Sequence, residues 1–235
     1  MTTGIHSAAA GLLAHQARMD ALANDIANVS TSGYKSTRIA FQELVGADGA
    51  GSGAASVELG RSLRPGTFVQ SGDPLSVAID GPGFLQVRRA DGSAALTRSG
   101  ELHVDSNGAL VTASGERLEP PVTLPPGTSP GNVDIEINGE VSANGRAIGR
   151  IELVEVPAPS GLISAAGNLF LATESSGAPT ASTSSTLLQG VVEGSNVDLG
   201  TAMVEMIAAQ RGFQLSSRAV RTQDQLMEIA NAIRR

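Results

Sequence analysis

The stretch LGTAMVEMIAAQRGFQLSSRAVRTQDQLMEIANAI, residues 199–233, decides how the rest of the chain is read. Within it Leu199, Met206, Phe213, Val220 and Met227 recur at every seventh position. Seven residues make two helical turns, so these five side chains share one face of an amphipathic helix. Met203, Ile207, Leu226, Ile229 and Ile233 widen that stripe. The stretch has no Pro, its only Gly beyond the first turn is Gly212, and Asn196 or Asp198 is placed to cap its start. A helix of this length reaches about 50 Å. That is long for a small globular domain, and the stripe needs a partner.

The other end of the chain supplies one. Ile5, Leu12, Met19 and Ile26 are also spaced by seven, with Ala8, Ala9, Leu22, Ala23 and Val29 between them. The termini therefore read as two amphipathic helices that bury their stripes against each other or against copies of themselves. Several intermediate positions are small or polar: Ala202, Gln210, Ser217 and Asp224 in the last helix, His15 or Gln16 in the first. Such seams suit helices packed on several sides in a multi-chain bundle and leave an isolated pair weak.

Composition narrows the function. Of 235 residues, 41% are hydrophobic but only 3% aromatic, with no Trp and Tyr34 as the one Tyr, so stacking on bases or sugars is poorly supplied. The absence of Cys removes disulfides, thiolate metal sites and thiol chemistry, and fits passage through an oxidising space. No run of apolar residues is long enough to insert in a membrane, and no basic residue precedes Arg18, so neither a spanning helix nor a Sec-type signal peptide is expected. The net charge of −7 is concentrated in the middle; the two ends are close to neutral. An acidic centre argues against nucleic acid, whose phosphates need a basic face.

Between the helices the pattern is β. Leu75–Ile79 alternates, Gly81–Gly83 makes a turn, and Phe84–Val87 is a strand. Asp91-Gly92, Asn107-Gly108 and Asn144-Gly145 are hairpin signals flanked by apolar runs. Gly46–Ala55 reads as a Gly/Ala/Ser linker, Gly161–Leu171 as a loop leading into a short apolar piece, and Leu187–Glu193 as one more strand. The expected fold is α+β: two terminal amphipathic helices forming a coiled-coil layer around an inserted antiparallel all-β domain. The expected divisions are 1–45, a linker at 46–74, the β domain at 75–194, and 195–235.

Four blocks resemble the bacterial flagellar rod and hook proteins. The first is Asn24 followed by Ala27-Asn28-Val29-Ser30-Thr31-Ser32-Gly33-Tyr34-Lys35; the second is Leu75 to Val87, containing Gly83-Phe84. The third is Thr97-Arg98-Ser99-Gly100 leading to Asn107-Gly108, and the fourth is Gly190 to Asn196-Val197 followed by the last helix. Each block alone is modest, but they stand in family order and span nearly the whole chain. Gly167–Phe170 and Ser175–Pro179 are similar to the distal-rod branch in particular. The stretch Glu43–Leu75 is shorter than in that branch, so a proximal-rod or other hook-rod axial protein is the alternative within the family.

The resemblance implies a structural subunit of the flagellar axial drive shaft. Its terminal helices would line the inner layer of a helical tube and its β domain would lie outside. It also implies homo-oligomers, neighbouring rod and hook proteins, surrounding bushing rings, and uncleaved export through the flagellar type III apparatus. No cofactor or metal is implied. An enzyme is the rival reading, through His6, His15, His103, Asp80 and Asp105. His6 and His15 are nine residues apart and lie on opposite sides of a helix, and both acids sit beside turn formers. A carbohydrate-binding or adhesin domain is the other rival, and scarce aromatics with matched terminal helices count against it.

Overall fold

The computed structural model describes residues 2–45 and 51–233. The fold is α+β, with an N-terminal and a C-terminal helix and an antiparallel β region between them. The chain divides into two compact units. One comprises Met1–Ala27, Thr37–Leu59 and Asp198–Arg235; the other comprises Asn28–Ser36 and Gly60–Val197. This division puts residues 28–36 with the β strands and residues 37–59 with the helices.

In the first unit, α1 (Thr2–Ala27) and α2 (Leu199–Ile233) lie side by side. Both are rich in strong helix formers. Asp198 supplies the cap, accepting from Thr201 N at 2.6 Å, and this hydrogen bond holds its carboxyl below the usual range. The pair is antiparallel: Gly11 faces Ser216, the His15 ring lies over Gly212, and Arg18 meets Glu205 at 3.2 Å. Met206, Phe213, Val220 and Met227 are half-buried, as are Leu12, Met19 and Ile26, while Leu199 is exposed. The side chain of Ile5 lies outside the described residues.

The second row of the α2 seam differs from expectation by one residue. It runs Ala202, Ala209, Ser216, Gln223, with Ala202 and Ala209 fully buried; Gln210 and Asp224 are exposed. A helical seam alternates steps of three and four, so the row after Met206 falls at Ala209. Leu22, expected in the seam, is buried; Ala23, also expected there, is exposed, and Ala14 and Asp25 are buried instead. Small residues bring the axes close: a Cβ on Gly212 would stand 2.4 Å from the His15 ring.

The strands β1 (Thr37–Val45) and β2 (Gly51–Arg61) pair with each other. Gly51–Ala55, read above as linker, is therefore strand, because pairing with β1 overrides its weak intrinsic preference. The rest of that linker, residues 46–50, lies outside the described residues. The buried Asp25 carboxylate accepts from Thr37 N at 3.0 Å and from its hydroxyl at 3.1 Å, fastening the end of α1 to the start of β1.

The second unit begins with β3 (Phe68–Gln70) and β4 (Val77–Asp80). The hairpin β5 (Phe84–Arg88)–β6 (Ala94–Thr97) turns at Asp91-Gly92, and β7 (Leu102–Val104)–β8 (Leu110–Thr112) turns at Asn107-Gly108. After β9 (Arg117–Leu118) come β10 (Val133–Ile135), β11 (Glu140–Ala143) and β12 (Arg146–Arg150), an antiparallel sheet whose second turn is Asn144-Gly145. Next come β13 (Leu153–Glu155), β14 (Ile163–Ala165), β15 (Leu169–Leu171) and β16 (Thr180–Ala181). The unit ends with β17 (Thr186–Gln189) and β18 (Val191–Glu193). The large sheet runs β14-β15-β6-β5-β9-β8-β7, with β13 joining β5 to β16.

Three local readings change. Gly161–Leu171 is the hairpin β14–β15, not a loop. Leu187–Glu193 is two strands, broken at Gly190, whose φ of +71° favours Gly. Leu75–Ile79 is buried throughout instead of alternating, because β4 is covered on both faces. The core is aliphatic, with Val77, Ile79, Leu85, Val87, Leu102, Leu110, Val122, Val141 and Leu187 at its centre. β17 pairs with β4 and β18 with β3, so the last strands close the unit against the first. Among the described residues, no helix is long and apolar enough to cross a membrane.

Candidate functional site

The closure of the β unit brings one carboxylate into its interior. Glu193 ends β18, where the period-two alternation of the strand turns its side chain inward. Its Oε1 accepts from Lys35 Nζ at 2.6 Å and from Gly66 N at 2.9 Å; its Oε2 accepts from Arg98 at 3.3 Å. Lys35 also donates to Arg64 O at 2.9 Å, and Arg98 to Gly81 O at 2.5 Å. The Arg98 guanidinium stands 5.4 Å over the Phe84 ring, and Phe84 packs edge-on against Phe170. All three charged side chains are essentially inaccessible to solvent. Burial lowers the Lys35 pKa; the hydrogen bond and charge of Glu193 oppose that shift, and Arg98 adds to it.

Asn196 builds a second set of bonds beside this triad. Its Oδ1 accepts from Ser36 N at 2.8 Å, and its Nδ2 donates to Ser62 O at 2.7 Å and Arg64 O at 2.9 Å. Backbone bonds from Asn196 N to Tyr34 O and from Ser62 N to Ser36 O run alongside. Arg61 donates to Tyr34 Oη at 2.8 Å and lies over the ring of this buried tyrosine. Gly33 donates to Glu193 O at 2.7 Å with φ +68°; a Cβ there would stand 2.6 Å from Ser99 N. Any other residue would meet backbone it cannot displace.

The remaining signature residues have smaller parts. Asn28 and Thr31 make the turn after α1, Thr31 donating to Asn28 Oδ1 at 3.1 Å. Gly83 N donates to Ser185 Oγ at 2.8 Å. Asn24 sits on the exposed side of α1, and Val197 is half-buried. The arrangement gathers Gly33, Tyr34, Lys35, Phe84 and Asn196 around Arg98 and Glu193, which lie in the third and fourth family blocks but were not among the expected site residues. The available signal was a lone acid after an apolar pair, Val191-Val192-Glu193, and a lone Arg after a strand.

The geometry holds segments together. His103 is exposed on β7 and His15 lies in the first unit. Asp105 accepts from Asn107 N and Ala109 N, which shapes a hairpin and holds its carboxyl below the ordinary range.

Three family models match the chain. That for the flagella basal body rod protein covers residues 5–35, that for the flagellar hook protein FlgE/F/G D1 domain residues 78–143, and that for the flagellar basal body rod FlgEFG protein C-terminal region residues 188–233. The chain is 34% identical to the flagellar basal-body rod protein FlgG of Buchnera aphidicola subsp. Schizaphis graminum, over 93% of this chain and 94% of the relative. It is 33% identical to the FlgG of Borreliella burgdorferi over the full length of both. It is 29% identical to the flagellar basal-body rod protein FlgF of Escherichia coli, over 90% of each.

Proposed function

We propose that this chain, which belongs to the flagellar basal-body rod protein family, transmits torque as an axial subunit of the distal rod. Membership makes it a structural subunit of the flagellar basal body that assembles with other rod and hook components, and not an enzyme. The distal position is supported by the FlgG relatives, which reach 34% identity against 29% for FlgF.

One observation carries the mechanical reading. The chain passes between its two units at four points, after Ala27, Ser36, Leu59 and Val197. The segments that follow or precede those points within the β unit are 28–36, 60–66 and 193–197. All three are bound to one another by Lys35, Glu193, Asn196 and Arg61. A load on any one crossing is thereby shared with the others and with the aliphatic core.

In this reading, copies of the chain build a helical tube. Residues 1–45 and 195–235 form its inner coiled-coil layer, and residues 75–194 decorate the outside. Ile5, Leu12, Met19, Ile26, Leu199, Met206, Phe213, Val220 and Met227 pack within and between subunits. A patch repeated in a non-closing arrangement produces a filament rather than a ring. The subunit leaves the cell through the flagellar type III apparatus without cleavage, crosses the periplasm in the rod, and touches the hook and the bushing rings. Electron microscopy of basal bodies carrying a tagged copy tests this: density for the tag belongs on the axial rod just below the hook. Its absence from the axis refutes the reading.

A further inference from the structure

Asn-Gly pairs stand in turns of the β unit at Asn107, Asn138 and Asn144. An asparagine followed by glycine can react with its own backbone. The glycine nitrogen loses its proton and attacks the asparagine Cγ, and the glycine has no side chain to hinder the approach. The Cγ–Nδ2 bond breaks, ammonia leaves, and a five-membered succinimide remains. Water opens that ring at either carbonyl to give aspartate or isoaspartate, so one water enters for each ammonia lost. The reaction needs a glycine N–H that is free to turn, a side chain that is not tied down, and a donor for the negative charge that develops on Oδ1.

Two of these pairs are held out of the reaction. Gly108 N donates to Asp105 O at 3.0 Å, and Gly139 N donates to Glu136 O at 2.9 Å. The amide of Asn138 is tied at both ends: Oδ1 accepts from Glu140 N at 2.7 Å, and Nδ2 donates to Glu136 Oε2 at 3.2 Å. Gly139 is also buried, and a Cβ there would stand 2.2 Å from Ile151 O, so this turn has no room to swing. Asn107 Nδ2 donates to Asp105 Oδ2 at 3.4 Å, and a Cβ on Gly108 would stand 2.9 Å from Leu124 O.

Asn144-Gly145 differs on each count. It joins β11 to β12 with φ of +51° and +77°, the positive pair of a type I′ turn. Both residues are exposed, and a Cβ on Gly145 would meet nothing within 4 Å. Among the described residues the Gly145 N–H has no acceptor. Asn144 Oδ1 accepts from Asn132 Nδ2 at 3.0 Å, which places a donor on the oxygen that becomes anionic.

We propose that Asn144 is a site of self-modification, converted through a succinimide with Gly145 to aspartate and isoaspartate while Asn107 and Asn138 persist. Aspartate keeps the turn and still accepts from Asn132. Isoaspartate adds a methylene to the main chain, which disturbs the Ala143–Arg146 pairing at the end of the hairpin. Val141, fully buried, anchors the rest of β11, so the change stays at the tip. Each conversion adds one negative charge to an exposed surface.

The test incubates the full-length chain at mildly alkaline pH and cleaves it after Glu. The pairs then fall in separate peptides, residues 102–116, 137–140 and 141–152. Mass spectrometry is expected to show the exchange of ammonia for water in 141–152 at least about tenfold faster than in the other two, because each of their glycine amides must first give up a hydrogen bond. The same chain unfolded in guanidinium chloride should convert all three at similar rates. Asn132→Ala should slow the folded chain severalfold at Asn144 and leave the unfolded rate unchanged. Equal rates at the three pairs in the folded chain, or a faster rate at Asn107 or Asn138, overturns the proposal. A folded Asn132→Ala rate equal to wild type overturns the part given to that donor.

Discussion

Replacing Glu193 by Gln keeps the shape of the buried site and removes its only anion. Lys35 and Arg98 are then left as two cations with carbonyl oxygens for company. Breaking a buried ion pair by removing one partner costs about 3–5 kcal/mol. Lys35 sets a ceiling, because it can shed its proton. Neutralising a lysine of ordinary pKa about 10.4 at pH 7.5 costs about 4 kcal/mol, and at pH 9.5 about 1 kcal/mol. Burial already holds the Lys35 pKa below the ordinary value, and losing Glu193 removes the groups that oppose that shift. A lysine depressed in the folded state penalises folding below its unfolded pKa, and the penalty disappears as pH rises to that value. Glu193→Gln should therefore lower stability by about 4 kcal/mol near neutral pH, with the deficit shrinking steadily toward pH 10. The assay is urea unfolding followed by Tyr34, the one tyrosine of the chain, which is buried and undiluted by any Trp. At typical slopes the midpoint falls by about 2 M. A deficit under about 1 kcal/mol, or one that does not change with pH, refutes the account of the triad.

Three further outcomes follow from the structure. Gly33→Ala drives a Cβ to 2.6 Å from Ser99 N at a positive φ and should destabilise the β unit by more than about 2 kcal/mol, read from the same Tyr34 transition. Met206→Asp or Phe213→Asp buries a charge in the α1–α2 seam; sedimentable assembly should vanish while the Tyr34 transition stays at the wild-type midpoint, and an ordered filament from either variant would sink the packing scheme. Asp91, Asp105, Glu155 and Asp198 all have pKa values lowered by hydrogen bonds to their carboxylates. Their contribution is present above the ordinary carboxylate range and disappears as pH falls through the lowered values, so thermal melts should lose stability below about pH 4 and not between pH 5 and 8.

Much of the architecture is legible in the residues. The seven-residue rows mark both helices, and the Asn-Gly and Asp-Gly pairs mark three hairpins where the strands turn. What pattern reading misplaces depends on long-range pairing. Gly51–Ala55 has little strand character of its own and becomes strand because β1 lies beside it. The break at Gly190 separates two strands that find different partners, β4 and β3, more than a hundred residues earlier. The buried site was half visible: Gly33, Tyr34, Lys35, Arg98, Glu193 and Asn196 all stand in the family blocks, but nothing local says that Lys35, Arg98 and Glu193 meet. A buried acid is identified only by the cations that surround it, and these, Lys35 and Arg98, come from two distant stretches.

The closing bond has a consequence for the order of events. Lys35 and Glu193 are 158 positions apart, and β3 and β4 wait for β18 and β17. A chain lengthening from its amino end, as in synthesis, carries an open-edged sheet and an unmatched lysine until residue 193 is available. Closing so large a loop is also slow. The β unit therefore closes late, only once its last two strands are in place.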